Sequence, residues 1–187
     1  MQIQQSESLL LIWKIAALQA KLLKSDKIEP IHLFLALLKS VDVNLTEIVK
    51  GKPADRDVIL EQLLHENTRL RNVFRCVNLD AKLARRRIRN LNDAPRVELA
   101  STKVIHRADE AKKLFAEAAK LAALSEKIVQ PIHLLMATLM VADEHRDKQL
   151  HDLGVDLDRF QRAVNSEIFN TPSARQRGKD SGKSMRN

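Results

Sequence analysis

The sequence lacks several residue types on which particular classes of protein depend. Its 187 residues include one cysteine, four glycines, no tyrosine and only 3% aromatic residues. A single cysteine excludes an intramolecular disulfide and leaves no set of Cys and His ligands for a zinc site. This cysteine usage fits a reducing, cytoplasmic setting. Scarce glycine and aromatic residues, with abundant Ala, Leu, Lys and Arg, favour helices over sheets.

Long hydrophobic runs are also lacking. No stretch reaches the roughly 18 apolar residues that a membrane-spanning helix requires. The segment from Ser8 to Ala20 has the apolar character of a signal peptide, but Glu7 precedes it and Lys14 interrupts it. Since no basic run opens the chain either, we predict neither a signal peptide nor a membrane partner.

What the sequence does contain is one pattern that occurs twice. The residues Pro-Ile-His-Leu at 30–33 return at 131–134, and each copy follows an amphipathic, Ala-rich helical segment. Proline suits the first turn of a helix, so the copies predict helices at about 30–40 and 131–142. Both helices are apolar almost all round, and such helices are normally buried. The shared motif residues are Pro30, His32, Leu33, Pro131, His133 and Leu134.

A turn signature follows each buried helix. Gly154 suits the left-handed position that ends a helix, and Asp156 can cap the next one. In the first half, Asn78 and Asp80 offer the same pair of roles, because Asn tolerates a positive φ angle. Each repeat is thus predicted to contain a long helix, a buried helix, a short helix, a turn and an amphipathic helix.

The two repeats differ in length. We predict repeat one at about 6–92 and repeat two at about 98–169, with a junction at Asp93–Pro95, all within one domain at 1–170. Repeat one has an insertion at about 43–70, where Lys50–Pro53 breaks the chain and Val58–Leu70 predicts an added helix. Ser, Gly, Lys and Arg dominate residues 171–187, which we predict to be a disordered basic tail or linker.

These motifs resemble the double repeat at the N-terminus of Clp-type AAA+ chaperones. The resemblance is carried by the two Pro-Ile-His-Leu copies, the apolar residues that follow them and Gly154-Val155-Asp156, and it covers about residues 6–169. It implies an all-α, compact domain of two pseudo-twofold-related four-helix repeats, the first with an inserted helix. It also implies a non-catalytic domain that docks adaptors or unfolded and tagged substrates for an ATPase ring.

One departure from the family pattern concerns partner recognition. Family members often have Glu just before the motif His, and in some this Glu recognises phosphorylated arginine. Here the corresponding residues are Ile31 and Ile132. The sequence therefore argues against recognition of phosphorylated arginine through these two positions.

Neither the histidines nor the cysteine indicates an enzyme. His32 and His133 lie one turn into apolar helices without neighbouring metal ligands, so we interpret them as residues that fix the helix start. Cys76 is interpreted as a small buried side chain. Gly178–Ser184 lacks the spacing and context of a phosphate-binding loop. We predict no catalytic residues, no cofactor, no metal and no ATPase module in the chain.

The basic residues that give the net charge of +8 are distributed unevenly, and the densest group lies on one predicted helix. On a helix, Arg85, Arg86 and Arg89 share a face while Ala81 and Ile88 can pack inward. A solvated surface is the simplest interpretation of these arginines. The functional interpretation is a binding surface for an acidic protein partner. The scarcity of aromatic side chains argues against nucleic acid as the partner.

We therefore predict a protein-interaction domain that docks substrates or adaptors for a Clp-type ATPase present on the same chain or on another one. The first alternative is a stand-alone regulatory or structural interaction protein with the same fold. The second alternative is a basic nucleic-acid binder.

Overall fold

Two helical repeats follow one another along the chain. The structure is a computed structural model that describes residues 4–49, 53–90 and 105–169. Repeat one comprises α1 (Glu7–Leu22), α2 (Pro30–Ser40), α3 (Leu45–Ile48), α4 (Pro53–Cys76) and α5 (Ala81–Asn90). Repeat two comprises α6 (Asp109–Leu124), α7 (Pro131–Met140), α8 (Glu144–Asp152) and α9 (Leu157–Phe169). The prediction of an all-α fold with an inserted helix in repeat one is confirmed.

The buried helices α2 and α7 form the centre of the core. In α2 the residues from Leu33 to Leu38 are all at most 1% exposed, as the uniformly apolar sequence predicts. In α7, Leu134 and Leu135 are fully buried. Because burying one such side chain stabilises the fold by about 1.5–3 kcal/mol, these two helices carry much of the hydrophobic stabilisation.

The long helices α1 and α6 occupy equivalent places beside this centre. They pack through small side chains, including Ala16 and Ala20 in α1 and Ala118 and Ala122 in α6, all with no exposed surface. The seventh residue of each helix faces the other repeat. These residues are Trp13 and Phe115, whose rings meet edge to face with centroids 5.9 Å apart. The Arg107 guanidinium lies 4.7 Å from the Trp13 ring.

Short parallel strand pairs connect the repeats. The two-residue strands are β1 (Gln4–Gln5), β2 (Lys27–Ile28), β3 (His106–Arg107) and β4 (Ile128–Val129). Strand β1 pairs with β4, and β2 pairs with β3. The strand before the first helix of each repeat thus pairs with the strand inside the other repeat, as a pseudo-twofold relation requires. These strands were not predicted from the sequence, because a strand of two residues shows no periodicity.

The turns after α4 and α8 have the same geometry. Asn78 has φ 55° and Gly154 has φ 77°, so both lie in the left-handed region. The next residue in each turn donates its N–H back into the helix, Leu79 to Phe74 at 2.8 Å and Val155 to Leu150 at 2.9 Å. This is the Schellman arrangement, which satisfies carbonyls that a helix end would leave unpaired.

An aspartate in each turn then caps the following helix. The Asp80 carboxylate accepts the Leu83 N–H at 2.9 Å, and the Asp156 carboxylate accepts the Arg159 N–H at 2.8 Å. Both bonds satisfy a donor in the first turn that has no partner within the helix.

The insertion forms α3 and the first part of α4, which continues without a break to Cys76. A second, smaller apolar cluster holds it, with Leu45, Val49 and Leu63 as the buried members. The Asn67 side chain donates to the Ser40 carbonyl at 3.1 Å, and the Ser6 hydroxyl donates to the Glu66 carboxylate at 2.7 Å. The insertion is therefore joined to repeat one by polar bonds as well as by apolar contacts.

Several predicted segments lie outside the described residues. They are the break at 50–52, the junction at 93–95 and the tail at 171–187 with its Gly178–Ser184 segment. Within the described ranges, no helix is both long enough and apolar enough to span a membrane. In the same ranges, no group of three or more His, Cys, Asp or Glu side chains is placed to hold a metal ion.

Candidate functional site

The basic surface predicted on α5 is present but divided. Ala81, Ala84 and Ile88 are buried against the core, which turns the arginines outward. Arg86 is exposed, whereas Arg85 and Arg89 are partly buried. The three predicted partner-binding arginines therefore do not form one uniform cationic surface.

Arg85 and Arg89 make bonds within the molecule. Arg85 is paired with the Asp42 carboxylate at 3.1 Å, and its side chain is only 12% exposed. Arg89 donates through Nε to the Gln19 side-chain oxygen at 3.0 Å, and its Nη2 donates to the same oxygen. Burial, followed by the nearby Arg85, lowers the pKa of the Arg89 guanidinium from its usual value. Both arginines thus attach α5 to its neighbours, which leaves less of their charge for a partner.

The outermost part of α5 comprises Lys82, Leu83 and Arg86. Lys82 and Arg86 are exposed, and Leu83 between them is 41% exposed. Arg87 points to the other side, where its Nη1 lies 3.5 Å from the Asp152 carbonyl. A cation on each side of an apolar side chain is suited to contact with an acidic protein surface.

The motif histidines lie in the core at the start of each buried helix. His32 is 2% exposed, and its Nδ1 accepts the backbone N–H of Glu29 at 2.9 Å. His133 is fully buried, and its Nδ1 accepts the backbone N–H of Gln130 at 3.0 Å. Each ring thereby satisfies a backbone donor just ahead of the helix, where no intrahelical partner exists.

Both histidines are neutral at neutral pH. Burial lowers the pKa of His32 to about 4, and burial together with the Arg69 cation lowers the pKa of His133 to about 4. With Nδ1 acting as an acceptor, the proton of His133 lies on Nε2, 2.9 Å from the Ser125 hydroxyl. That hydroxyl donates in turn to the Leu121 carbonyl at 3.1 Å. The surroundings favour a capping role over proton transfer.

The other motif residues complete the helix starts. Pro30 and Pro131 are the first residues of α2 and α7. Leu33 and Leu134 follow the histidines and have no exposed surface. Gly154 and Asp156 lie in the turn before α9, as described above.

A buried arginine that the sequence did not predict as a site joins the insertion to repeat two. Arg69 of α4 is 3% exposed, and its Nη1 lies 2.5 Å from both a Glu126 carboxylate oxygen and the Gln130 amide oxygen. Its Nη2 donates to the Glu167 carbonyl at 2.7 Å, and its Nε lies 3.2 Å from the Glu167 carboxylate. The available signal was weak: Arg69 falls on the inward face of α4 with Leu63 and Leu70.

The outer face of α1 was missed as well. Leu10, Leu18 and Leu22 are 41%, 58% and 66% exposed, and Lys14 stands between the first two. Exposed positions spaced four residues apart form one row along a helix. The apolar character of the whole segment concealed this row, because the inward and outward faces both contain leucine.

Cys76 requires a correction. We predicted a buried side chain, but Cys76 is exposed at the end of α4. Val73, Phe74 and Val77 occupy the inward positions of this turn, each less than 5% exposed. The helix therefore turns Cys76 toward solvent.

Comparison with known proteins gives a fold and no sequence relative. No protein family model matches the chain, and no curated protein matches its sequence. The N-terminal domain of the caseinolytic protease associated chaperone ClpD from Arabidopsis thaliana superposes with a TM-score of 0.60 at 16% identity. A chain from structural work on a malarial protein secretion system superposes with a TM-score of 0.54 at 17% identity. Each match covers 90% of this chain and 97% of the other.

Proposed function

We propose that this chain, which has the fold of a Clp N-terminal domain, is a non-catalytic interaction domain. It docks protein substrates or adaptors for a Clp-type ATP-dependent chaperone or protease. The ATPase is part of the same protein or of a partner protein. The observation that carries the proposal is the double-repeat fold, which matches the ClpD N-terminal domain over 90% of this chain.

The surroundings of the buried histidines support docking over catalysis. His32 and His133 are the buried residues best suited by type to acid–base chemistry. Each has its Nδ1 occupied by a backbone N–H, and each has its pKa lowered to about 4 by burial. A general base works best with a pKa near the operating pH, so these rings are poorly matched to that task.

The exposed part of α5 supports an acidic protein as one class of partner. Lys82 and Arg86 flank the partly exposed Leu83, and the chain as a whole has a net charge of +8. Charge on a rim contributes mainly to the rate of association and to specificity. We therefore expect binding through this surface to weaken as the salt concentration rises.

A titration with an unfolded acidic protein such as casein, followed by backbone NMR shifts, tests the proposal. We expect localised shifts, and we expect Arg86→Ala to weaken binding about three- to tenfold. Arg75→Ala is the matched control, because Arg75 is also exposed but lies near the end of α4. The absence of localised shifts with casein and with Clp adaptor proteins would contradict docking.

The same variants test the nucleic-acid alternative, which the net charge of +8 favours. A nucleic-acid binder would show affinity for a DNA duplex that falls steeply with salt. Arg85 and Arg89 already bond with Asp42 and Gln19, which reduces the charge available for phosphates. Duplex binding at physiological salt that Arg86→Ala abolishes would favour this alternative over protein docking.

A further inference from the structure

The outer face of α1 presents a row of large apolar side chains to solvent. We define the α1 row as Leu10, Lys14, Leu18 and Leu22, which follow one another every four residues. Its three leucines are between 41% and 66% exposed. Single exposed leucines are ordinary on protein surfaces, but an aligned set on one helix indicates an interaction surface.

Comparison with α6 shows that the fold does not require this row. Helices α1 and α6 each have 16 residues and occupy equivalent places in the two repeats. Where α1 has Leu10 and Leu18, the equivalent residues of α6 are Lys112 and Lys120. The last position is apolar in both helices, as Leu22 and Leu124. The additional leucines are thus specific to repeat one.

Cations lie within and beside the α1 row. Lys14 is an exposed member of the row, and Lys21 lies on the same side of the helix, next to Leu22. Arg89 of α5 bonds to Gln19 on the buried side of α1, so a third cation lies next to the helix. The first residue of α1, Glu7, is its only acidic residue. The exposed charged side chains on this part of α1 are therefore mainly cationic, which favours a negatively charged partner.

We propose that the α1 row binds an acidic amphipathic helix of a partner protein. The leucines would pack against the apolar side of that helix, and its carboxylates would contact Lys14 and Lys21. A row of side chains spaced four residues apart packs well into the groove of a second helix. The inference rests on the proposed docking function and specifies a place and a partner chemistry for it.

Two synthetic peptides and two variants test the inference. The first peptide is an amphipathic helix with Leu and Ile on one side and Glu on both flanks; the second has Lys in place of each Glu. The variant Leu18→Ser/Leu22→Ser alters the row. The matched control, Lys120→Ser/Leu124→Ser, places serine at the two equivalent positions of α6. Because all four positions are exposed, both variants should fold, which circular dichroism checks.

Fluorescence anisotropy then measures the affinity for each peptide. We expect the acidic peptide to bind at least about tenfold more tightly than the basic one. We expect Leu18→Ser/Leu22→Ser to weaken that binding at least about tenfold, and the control to change it less than about twofold. Equal weakening by both variants would overturn the assignment to α1. Equal affinity for both peptides would overturn the acidic partner.

Two further outcomes separate this inference from the broader function. If the chain binds casein or a Clp adaptor but not the acidic peptide, the proposed function stands and the α1 row is not its site. If sedimentation shows a dimer that Leu18→Ser/Leu22→Ser dissociates, the row binds a second copy of the chain, and the inference is overturned. Loss of all protein binding would instead contradict the proposed function.

Discussion

The links that lead into the two buried helices end in the same capping arrangement before a proline but differ in their polar side chains. In repeat two, Glu126 and Gln130 hold the Arg69 guanidinium. In repeat one, the corresponding acidic residues are Asp26 and Glu29, which are exposed. Partial desolvation of the Glu29 carboxyl, followed by the charges of Asp26 and Glu110, raises its pKa, in keeping with the negative charges gathered at this link.

The difference between the links originates in the insertion. Arg69 belongs to α4, and it reaches across to the second link and to Glu167 of α9. The apolar residues, prolines, histidines and turns are shared by the two repeats, so the duplicated scaffold does not depend on the insertion. Because of the insertion, the two repeats present different polar side chains. Such differences allow the two repeats to have different binding surfaces.

Acidification tests whether the two motif histidines are as equivalent as their geometry suggests. The pKa of each is about 4 in the fold and 6.5 in the unfolded chain, so the unfolded chain binds more protons between these values. The stability that the neutral rings provide is fully present above pH 6.5 and is lost as the pH falls toward 4. We expect a loss of about 2 kcal/mol per histidine between pH 7.5 and pH 5, measured by urea unfolding.

Single substitutions separate the two contributions. His32→Gln and His133→Gln should each remove about half of this pH dependence. The raised pKa values of Glu29 and Glu66 act in the opposite direction, but both groups remain in each variant, so the differences report the histidines alone. An unchanged pH dependence in either variant would show that the altered histidine is not held neutral by burial.

Removing Arg69 should weaken the link between the insertion and repeat two. Arg69→Met leaves the partly buried carboxylates of Glu126 and Glu167 without their guanidinium, so we expect a loss of about 3 kcal/mol in the free energy of unfolding. Arg75→Met on the same helix is exposed and should change stability by less than about 0.5 kcal/mol. Equal effects of the two substitutions would mean that the Arg69 bonds contribute little to the free energy of unfolding.

The smallest expected effect concerns the two capping aspartates. Asp80→Ala and Asp156→Ala each remove one side-chain acceptor from the first turn of α5 or α9. We expect each to lower the unfolding free energy by about 1 kcal/mol. Thermal unfolding of both variants, with the exposed Asp158→Ala as control, measures whether the two turns are energetically equivalent. A loss of stability in only one of the two variants would show that the turns share their geometry but not their contribution to stability.

Features that depend on interactions between residues close together in the sequence could be predicted, and features that depend on distant residues could not. Pro30, His32 and the turn at Gly154 act within a few residues of their own position, so their patterns could be read directly. Arg69 bonds to residues more than fifty positions away, and nothing in its own surroundings indicates those partners. The exposed leucines of α1 were hidden for another reason: a helix apolar on both faces has no contrast that separates core from surface.

The strand pairs between the two repeats also bear on the order in which we expect the chain to fold during synthesis. Among the described residues, β1 pairs with β4 and β2 pairs with β3, and both partner strands lie beyond residue 105. When repeat one leaves the ribosome, the partners of both its strands have not yet been made. Its helices can form early, but the backbone groups of its two strands stay unpaired until repeat two emerges. We therefore expect nascent repeat one to be the stage of synthesis at which this chain is most exposed to aggregation.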